Sequence, residues 1–146
     1  YNYIWLMIKQ TKNAYIDMVG DLFHYGHIRL LQKIKQQGYD VIVGVHSDED
    51  VERYKRKPIL TLHERIETIS ACKYVDSIIP DAPLIITKDF IDNYKIDMCF
   101  HSHSEEQHEV LKLDDYKDPI MLKKFTRMDY CNSVSTTGII NRILNR

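Results

Sequence analysis

"AYIDMVGDLFHYGHIRLLQKIKQQGYDVIVGVH", residues 14–46, holds a strand, a helix and a second strand in one stretch. AYIDMV (14–19) is a short β-type run. HIRLLQKIKQQG (27–38) sets apolar residues at 28, 30, 31 and 34, a helical stripe closed by Gly38. YDVIVGVH (39–46) is a nearly continuous apolar run rich in Val and Ile, the composition of a strand buried on both faces. Two strands joined through a helix predict a right-handed crossover and a parallel sheet. DLFHYGH (21–27) lies between the first strand and the helix, and carries two histidines three residues apart around Gly26.

The same alternation continues outward. Thr61 begins T-L-H-E, with Glu64 three residues on, a capping box that opens a helix through about Cys72. YVDSII (74–79) reads as a strand, after which Pro80 and Pro83 break the chain. TKDFIDNYK (87–95) reads as a helix, IDMCFH (96–101) as a strand and FTRMDY (125–130) as a weak strand. Residues 102–124 are polar and irregular and read as a long loop; Ser135 caps a last helix through Asn145. The expected fold is one α/β domain over 13–146, Rossmann-like, with a five-stranded parallel sheet flanked by helices. Residues 1–12 read as an N-terminal extension.

Composition narrows the function classes. The 146 residues suit one domain with its own core. Twenty basic and 21 acidic side chains nearly cancel, which argues against a general nucleic-acid binder. No apolar run reaches the ~20 residues of a membrane span. Cys72, Cys99 and Cys131 are widely spaced with no CxxC, and the first two lie in apolar runs. They read as unpaired thiols of a reducing compartment, so a cytoplasmic location is expected.

In an open parallel sheet, ligands sit beyond the C-terminal strand ends near helix N-termini. DLFHYGH should occupy that crevice, where free N–H groups and the helix dipole favour an anion. Gly26 would let a phosphate approach the backbone, and His24 and His27 can both donate N–H bonds to its oxygens. On spacing alone such a pair is usually just solvated or capped, with a phosphate site next and a metal site last; placement after the first strand raises the phosphate reading. GxGxxG and GKS/T are absent, so this is neither a dinucleotide fingerprint nor a Walker loop. HSHSEEQH (101–108) has three histidines but no cysteine or fixed helical spacing to support a metal site.

DLFHYGH together with RYKRKP (53–58), LHER (62–65) and STTGIINRIL (135–144) resembles the cytidylyltransferase family of nucleotidyltransferases. Its members make CDP-choline, CDP-ethanolamine and CDP-glycerol, and their H-x-G-H signature is His24-Tyr25-Gly26-His27 here. The resemblance runs from about Asn13 to Ile143. VGVHSDEDVERYKRKP (43–58), LHERIETISACKYVDSIIPDAP (62–83) and FIDNYKIDMCFH (90–101) are most like the branch acting on phosphoethanolamine, whose members carry two copies of the fold. This chain is more similar to the second copy, and its start at Tyr1 without an initiator Met fits a domain cut from such a tandem.

The resemblance implies that the phosphate of phosphoethanolamine attacks the α-phosphorus of CTP, with Mg²⁺ on the triphosphate. It implies that His24 and His27 contact the triphosphate and transition state, with Lys55 bridging the two phosphates. Gly26, Arg65, Ser135, Thr136 and Thr137 would line the nucleotide, and Asp17 and His101 would face the amine. Read on their own, Lys55 is part of a solvated charged run and Arg65 an exposed helix residue paired with Glu64 or Glu67. Asp17 then reads as a strand-end residue satisfied by backbone, and Ser135 as a plain N-cap.

The pattern also breaks. Met18 stands where relatives have glycine and would crowd the nucleotide. Tyr130 stands where R-T-E-G-[IV]-S-T-T has its arginine, which removes a bidentate cation. His103 and Ser104 replace an acidic or amide pair, and Leu84 an aromatic residue. Three functions remain open: an active transferase, a degenerate regulatory or structural copy of it, and a related nucleotidyltransferase for phosphocholine or with ATP. The family also implies pairing with a sister domain or a second copy around the first helix region.

Overall fold

The computed structural model describes residues 11–103 and 113–146. Five strands form one sheet in the order β3-β2-β1-β4-β5, all parallel. They are β1 (Asn13–Met18), β2 (Asp40–Val45), β3 (Ser77–Pro80), β4 (Met98–His103) and β5 (Phe125–Asp129). The helices are α1 (Tyr25–Gln36), α2 (Asp48–Tyr54), α3 (Leu62–Ser70), α4 (Lys88–Asn93), α5 (Lys117–Met121) and α6 (Thr136–Leu144). The chain builds outward from β1 to β3, then crosses to β4 on the other side of β1. The crevice of such a sheet opens at that reversal, between the C-terminal ends of β1 and β4.

Strand alternation divides the core into two layers. Ala14, Ile16, Val41, Val43, Val45 and Phe100 point to one face and meet Leu30, Leu31 and Ile34 of α1 and Ile69 of α3. Tyr15, Ile42, Ile79 and Cys99 point to the other and meet Ile86, Ile91 and Tyr116. Each fully buried Leu or Ile contributes roughly 1.5–3 kcal/mol. Because both faces are covered, the middle strands read as unbroken apolar runs. Gly38 turns the chain out of α1 at φ +91°, a conformation that side chains resist.

Two elements depart from the expectation. Residues 48–54 form α2 and not a charged loop: Ser47 caps Asp50 N–H, and Asp48, Glu49 and Asp50 favour the positive helix end. Only Val51 of α2 is buried, so no apolar stripe announces the helix. Residues 102–124 are not a continuous loop either, because β4 runs on to His103, and a 3-10 turn (Leu113–Tyr116) precedes α5. Residues 104–112 lie outside the described residues, as do 1–10, most of the predicted N-terminal extension.

Gly44 of β2 is fixed by space. A Cβ there would stand 2.1 Å from Tyr15 Oη and 2.8 Å from Ala82 Cβ. Gly44→Ala is expected to cost about 1–3 kcal/mol in urea unfolding. Tyr15→Phe alone should cost little, since the Tyr15 hydroxyl has no hydrogen-bond partner. The double variant should recover part of the Gly44→Ala loss; no recovery would refute this contact.

Candidate active site

The start of α1 is closed by two imidazoles. His24 is the N-cap, and its Nδ1 accepts from Gly26 N–H at 3.0 Å. His27 Nδ1 accepts from His24 N–H at 3.2 Å. This is a capping box built from histidines in place of Ser and Glu. Its chemical consequence is a tautomer. An Nδ1 that accepts carries no proton, so each neutral ring holds its proton on Nε2. The rings lie 4.0 Å apart between centroids. Burial pushes His27 down from 6.5 to about 3, and His24 and Lys55 add to the shift. Burial also lowers His24, with Arg142 on α6 contributing. Both rings are therefore neutral Nε2–H donors at pH 7.

The S-T-T segment comes to the same place. His24 Nε2 is 3.3 Å from Thr136 Oγ1, and Thr136 Oγ1 donates to the Asp21 carbonyl at 3.0 Å. Ser135 caps α6 by accepting from Gly138 N–H at 2.9 Å. Thr137 Oγ1 accepts from Arg56 Nη1 at 3.2 Å, which leaves its own O–H to donate. The relay His24–Thr136–Asp21 thus consumes the His24 donor within the protein.

Lys55 follows α2 as its C-cap and is within electrostatic reach of His27. Burial and the neighbouring Arg56 lower its pKa, and Asp21 opposes them. Asp21 is the brace of this region. Its carboxylate accepts from Ile59 N–H at 2.9 Å and Leu60 N–H at 3.0 Å, tying the lysine loop to the H-x-G-H turn. Gly26 has a different reason from the expected one. A Cβ there would stand 2.9 Å from His24 Cε1 and 3.2 Å from the Val134 carbonyl, so the protein itself fills that space. Met18 packs against the α1/α3 side of the core.

Arg65 is a correction. It is neither exposed nor paired with Glu64 or Glu67; its exposure is 0%. Its guanidinium donates to the carbonyls of Leu60, Val19 and His46 and to Asp48 Oδ1 at 2.6 Å. Four N–H groups are engaged by protein, so its place is behind the site, where it joins the chain leaving β1 to the chain leaving β2.

At the β1/β4 crevice, Asp17 and His101 share the layer that holds Tyr116. Tyr116 Oη donates to Asp17 Oδ1 at 2.7 Å, and its ring lies 4.6 Å from that of His101. Asp17 Oδ2 has no hydrogen-bond donor among the described residues, and its side chain is 4% exposed. Burial raises the Asp17 pKa, against the pull of His46 and the Tyr116 hydroxyl. Tyr116 and His46 were not among the expected site residues. Tyr116 arrives from a polar segment with no apolar period, so only the tertiary structure reveals it. Among the described residues no group of three His, Cys, Asp or Glu could hold a metal ion. His108 of the histidine run at 101–108 lies outside the described residues.

A parallel sheet with neutral imidazoles, a lysine and a hydroxyl-lined helix tip gathered at its C-terminal edge defines a Rossmann-like domain of the nucleotidyltransferase type. Solved structures share the fold. A lipopolysaccharide core biosynthesis protein from Thermoplasma volcanium GSS1 superposes with TM-score 0.64 at 21% identity, covering 83% of this chain and 98% of that one. A pantoate-beta-alanine ligase from Francisella tularensis superposes with TM-score 0.53 at 16% identity, covering 97% and 73%. The Cytidylyltransferase-like family model matches residues 20–142, and the chain belongs to that family. Ethanolamine-phosphate cytidylyltransferase of Arabidopsis thaliana is 36% identical over 89% of this chain and 32% of its own length. The Mus musculus enzyme of the same name is 35% identical over 89% and 33%. Choline-phosphate cytidylyltransferase 2 of Arabidopsis thaliana is 35% identical over 90% and 44%. The chain spans about a third of the length of the two ethanolamine-phosphate relatives.

Two measurements follow. Arg65→Met should destabilise by about 3 kcal/mol or more in urea, because three carbonyls and a carboxylate lose donors together. A loss under 1 kcal/mol would contradict the clamp. For His27 the folded value lies below the unfolded one, so the unfolded chain takes up the proton first. Stability should therefore fall as pH drops from 6.5 towards 3. His27→Asn, whose amide oxygen can still accept from His24 N–H, should show a shallower fall; parallel curves would reject the burial argument.

Proposed function

We propose that this domain transfers CMP from MgCTP to phosphoethanolamine, forming CDP-ethanolamine and pyrophosphate. The observation that carries the reading is the approach of His24 to Thr136, which brings the H-x-G-H turn and the S-T-T helix tip to one anion-binding edge. A phosphate oxygen of phosphoethanolamine attacks the α-phosphorus in line, that P–O bond forms, and the bond to the β-phosphate oxygen breaks. Neither step needs a protein nucleophile. The protein's part is to hold two anions together and to stabilise charge on the five-coordinate phosphorus.

The His27 Nε2–H donates to an α-phosphate oxygen, and being neutral it does so without titrating near pH 7. Lys55 places a cation between the two phosphates; an arriving anion favours its charged form. The Thr137 hydroxyl and the free N–H groups of α6 take the terminal phosphates. Arg56 puts a guanidinium at that same helix tip, which supports an active site despite Tyr130. Mg²⁺ would be held by the triphosphate itself and would supply partial neutralisation of its charge.

Asp17 favours ethanolamine over choline. Its Oδ2 is a buried acceptor without a donor. A primary ammonium has N–H groups to give it; a trimethylammonium has none, and the acceptor would stay unsatisfied. His101 and Tyr116 wall the same end. The wider protein would act in a reducing, cytoplasmic setting and pair this domain with a sister domain or a second copy.

Pyrophosphate release, assayed with CTP and each phospho-alcohol in turn, tests this. Turnover should favour phosphoethanolamine, and His27→Ala should lower kcat by about 10²–10³. Release with no phospho-alcohol, or full activity in His27→Ala, would sink the reading and favour a structural role.

A further inference from the structure

His46 lies in the stretch 43–58 but was given no role there, and its surroundings assign it a state. It follows β2, and its backbone is held on two sides: its N–H donates to Met18 O, and its carbonyl accepts from Arg65. Its ring is 8% exposed. Nδ1 lies 3.1 Å from the Ala82 carbonyl. A carbonyl oxygen has no proton to give, so Nδ1 must carry one. In a neutral ring Nε2 is then bare. But Nε2 faces Asp17 Oδ2 at 3.6 Å, and that oxygen has no hydrogen-bond partner among the described residues. A bare nitrogen lone pair set against an ionised carboxylate, with water excluded from both, is repulsive. One added proton removes the conflict, whether it sits on Nε2 or on Oδ2.

We propose that Asp17 and His46 share one proton while the site is empty, and that the ammonium of the phospho-alcohol displaces it. The inference rests on the reading of Asp17 as the amine contact. The balance is simple: a neutral pair holding one proton takes in a cation, keeps Asp17 ionised and His46 neutral, and releases the proton to solvent. His46 is then a positioning residue, a resident donor that keeps the Asp17 acceptor ready until the substrate supplies N–H groups of its own.

The other groups around Asp17 do not take this role. On β1, Tyr15 is pushed far up by burial and keeps its proton. On β4, burial raises Cys99 to about 12. On α2, burial raises Tyr54 to about 12. In the 3-10 turn, burial pushes Tyr116 far up, and Asp115 adds negative charge that raises Asp17 further. Arg65 of α3 reaches only the His46 carbonyl and Asp48 from this side. His101 of β4 is the other imidazole nearby, its ring tilted against that of Tyr116, and is the control.

Nitrogen-15 spectra of the ligand-free 146-residue chain should show His46 protonated at Nδ1, with an Nε2 signal that Asp17→Asn changes. A bare Nδ1 would overturn the proposal outright. Calorimetric titration of phosphoethanolamine near pH 7, in buffers of different ionisation enthalpy, should then show about one proton more released by the wild type than by His46→Gln. The Gln amide reaches the Nε2 position as a donor that does not titrate, and the phosphate's own titration cancels in the comparison. As pH falls, KM for phosphoethanolamine should rise more steeply in the wild type, by up to about tenfold per unit, while KM for CTP should not. Equal proton release in wild type and His46→Gln, or a loss seen only in His101→Gln, would refute the displacement. Failure of the wild type to bind phosphoethanolamine would remove the substrate reading and the displacement with it, while the nitrogen spectra still decide whether the proton is shared.

Discussion

Two backbone N–H groups at the start of α1 have no partner within the helix, and each ends on an imidazole Nδ1. Everything chemical at the site depends on that constraint. It places both rings side by side and sends both protons to Nε2. A serine or aspartate cap would satisfy the helix equally well, but would offer no second donor pointing away from it. Desolvation keeps His27 neutral near pH 7, with its proton on Nε2.

The rest of the site is fastened to that turn from several directions. Asp21 holds the Lys55 loop by two backbone N–H groups, and its own carbonyl receives Thr136. Arg65, fully buried, joins the chain after β1 to the chain after β2 and to the start of α2. Each connection crosses many residues of sequence. Together they fix the H-x-G-H turn, the lysine loop and the S-T-T helix tip relative to one another. At the other end of the crevice Tyr116, Asp17 and His46 form a second buried polar group, in which Asp17 Oδ2 has no hydrogen-bond partner among the described residues.

Much of this could be read beforehand, and the reasons differ by element. β1, α1 and β2 were legible because burial on two faces leaves unbroken apolar runs and burial on one side leaves a helical stripe. α3 and α6 were legible from their caps, Thr61 with Glu64 and Ser135. α2 and α5 were not: each buries a single residue, so neither carries a period. For the site, the motifs named His24, His27, Lys55, Thr136 and Thr137 as candidates, and the fold gathers them. The alternative reading of Arg65 as an exposed helix arginine failed because an arginine in a polar helix turn looks solvated; only the four acceptors that converge on its guanidinium explain its burial.

The sequence by itself determined the parallel α/β architecture and which family this chain belongs to, because strand burial, helix caps and motif order are written in local patterns. The tertiary structure alone decided which nitrogen of each histidine carries its proton, that Arg65 serves the scaffold, and that Asp17 stands between Tyr116 and His46. The tautomers follow once the helix start closes on the two rings, whereas the roles of Arg65 and Asp17 depend on donors and acceptors that meet across as many as 99 residues of chain, which no local spacing records.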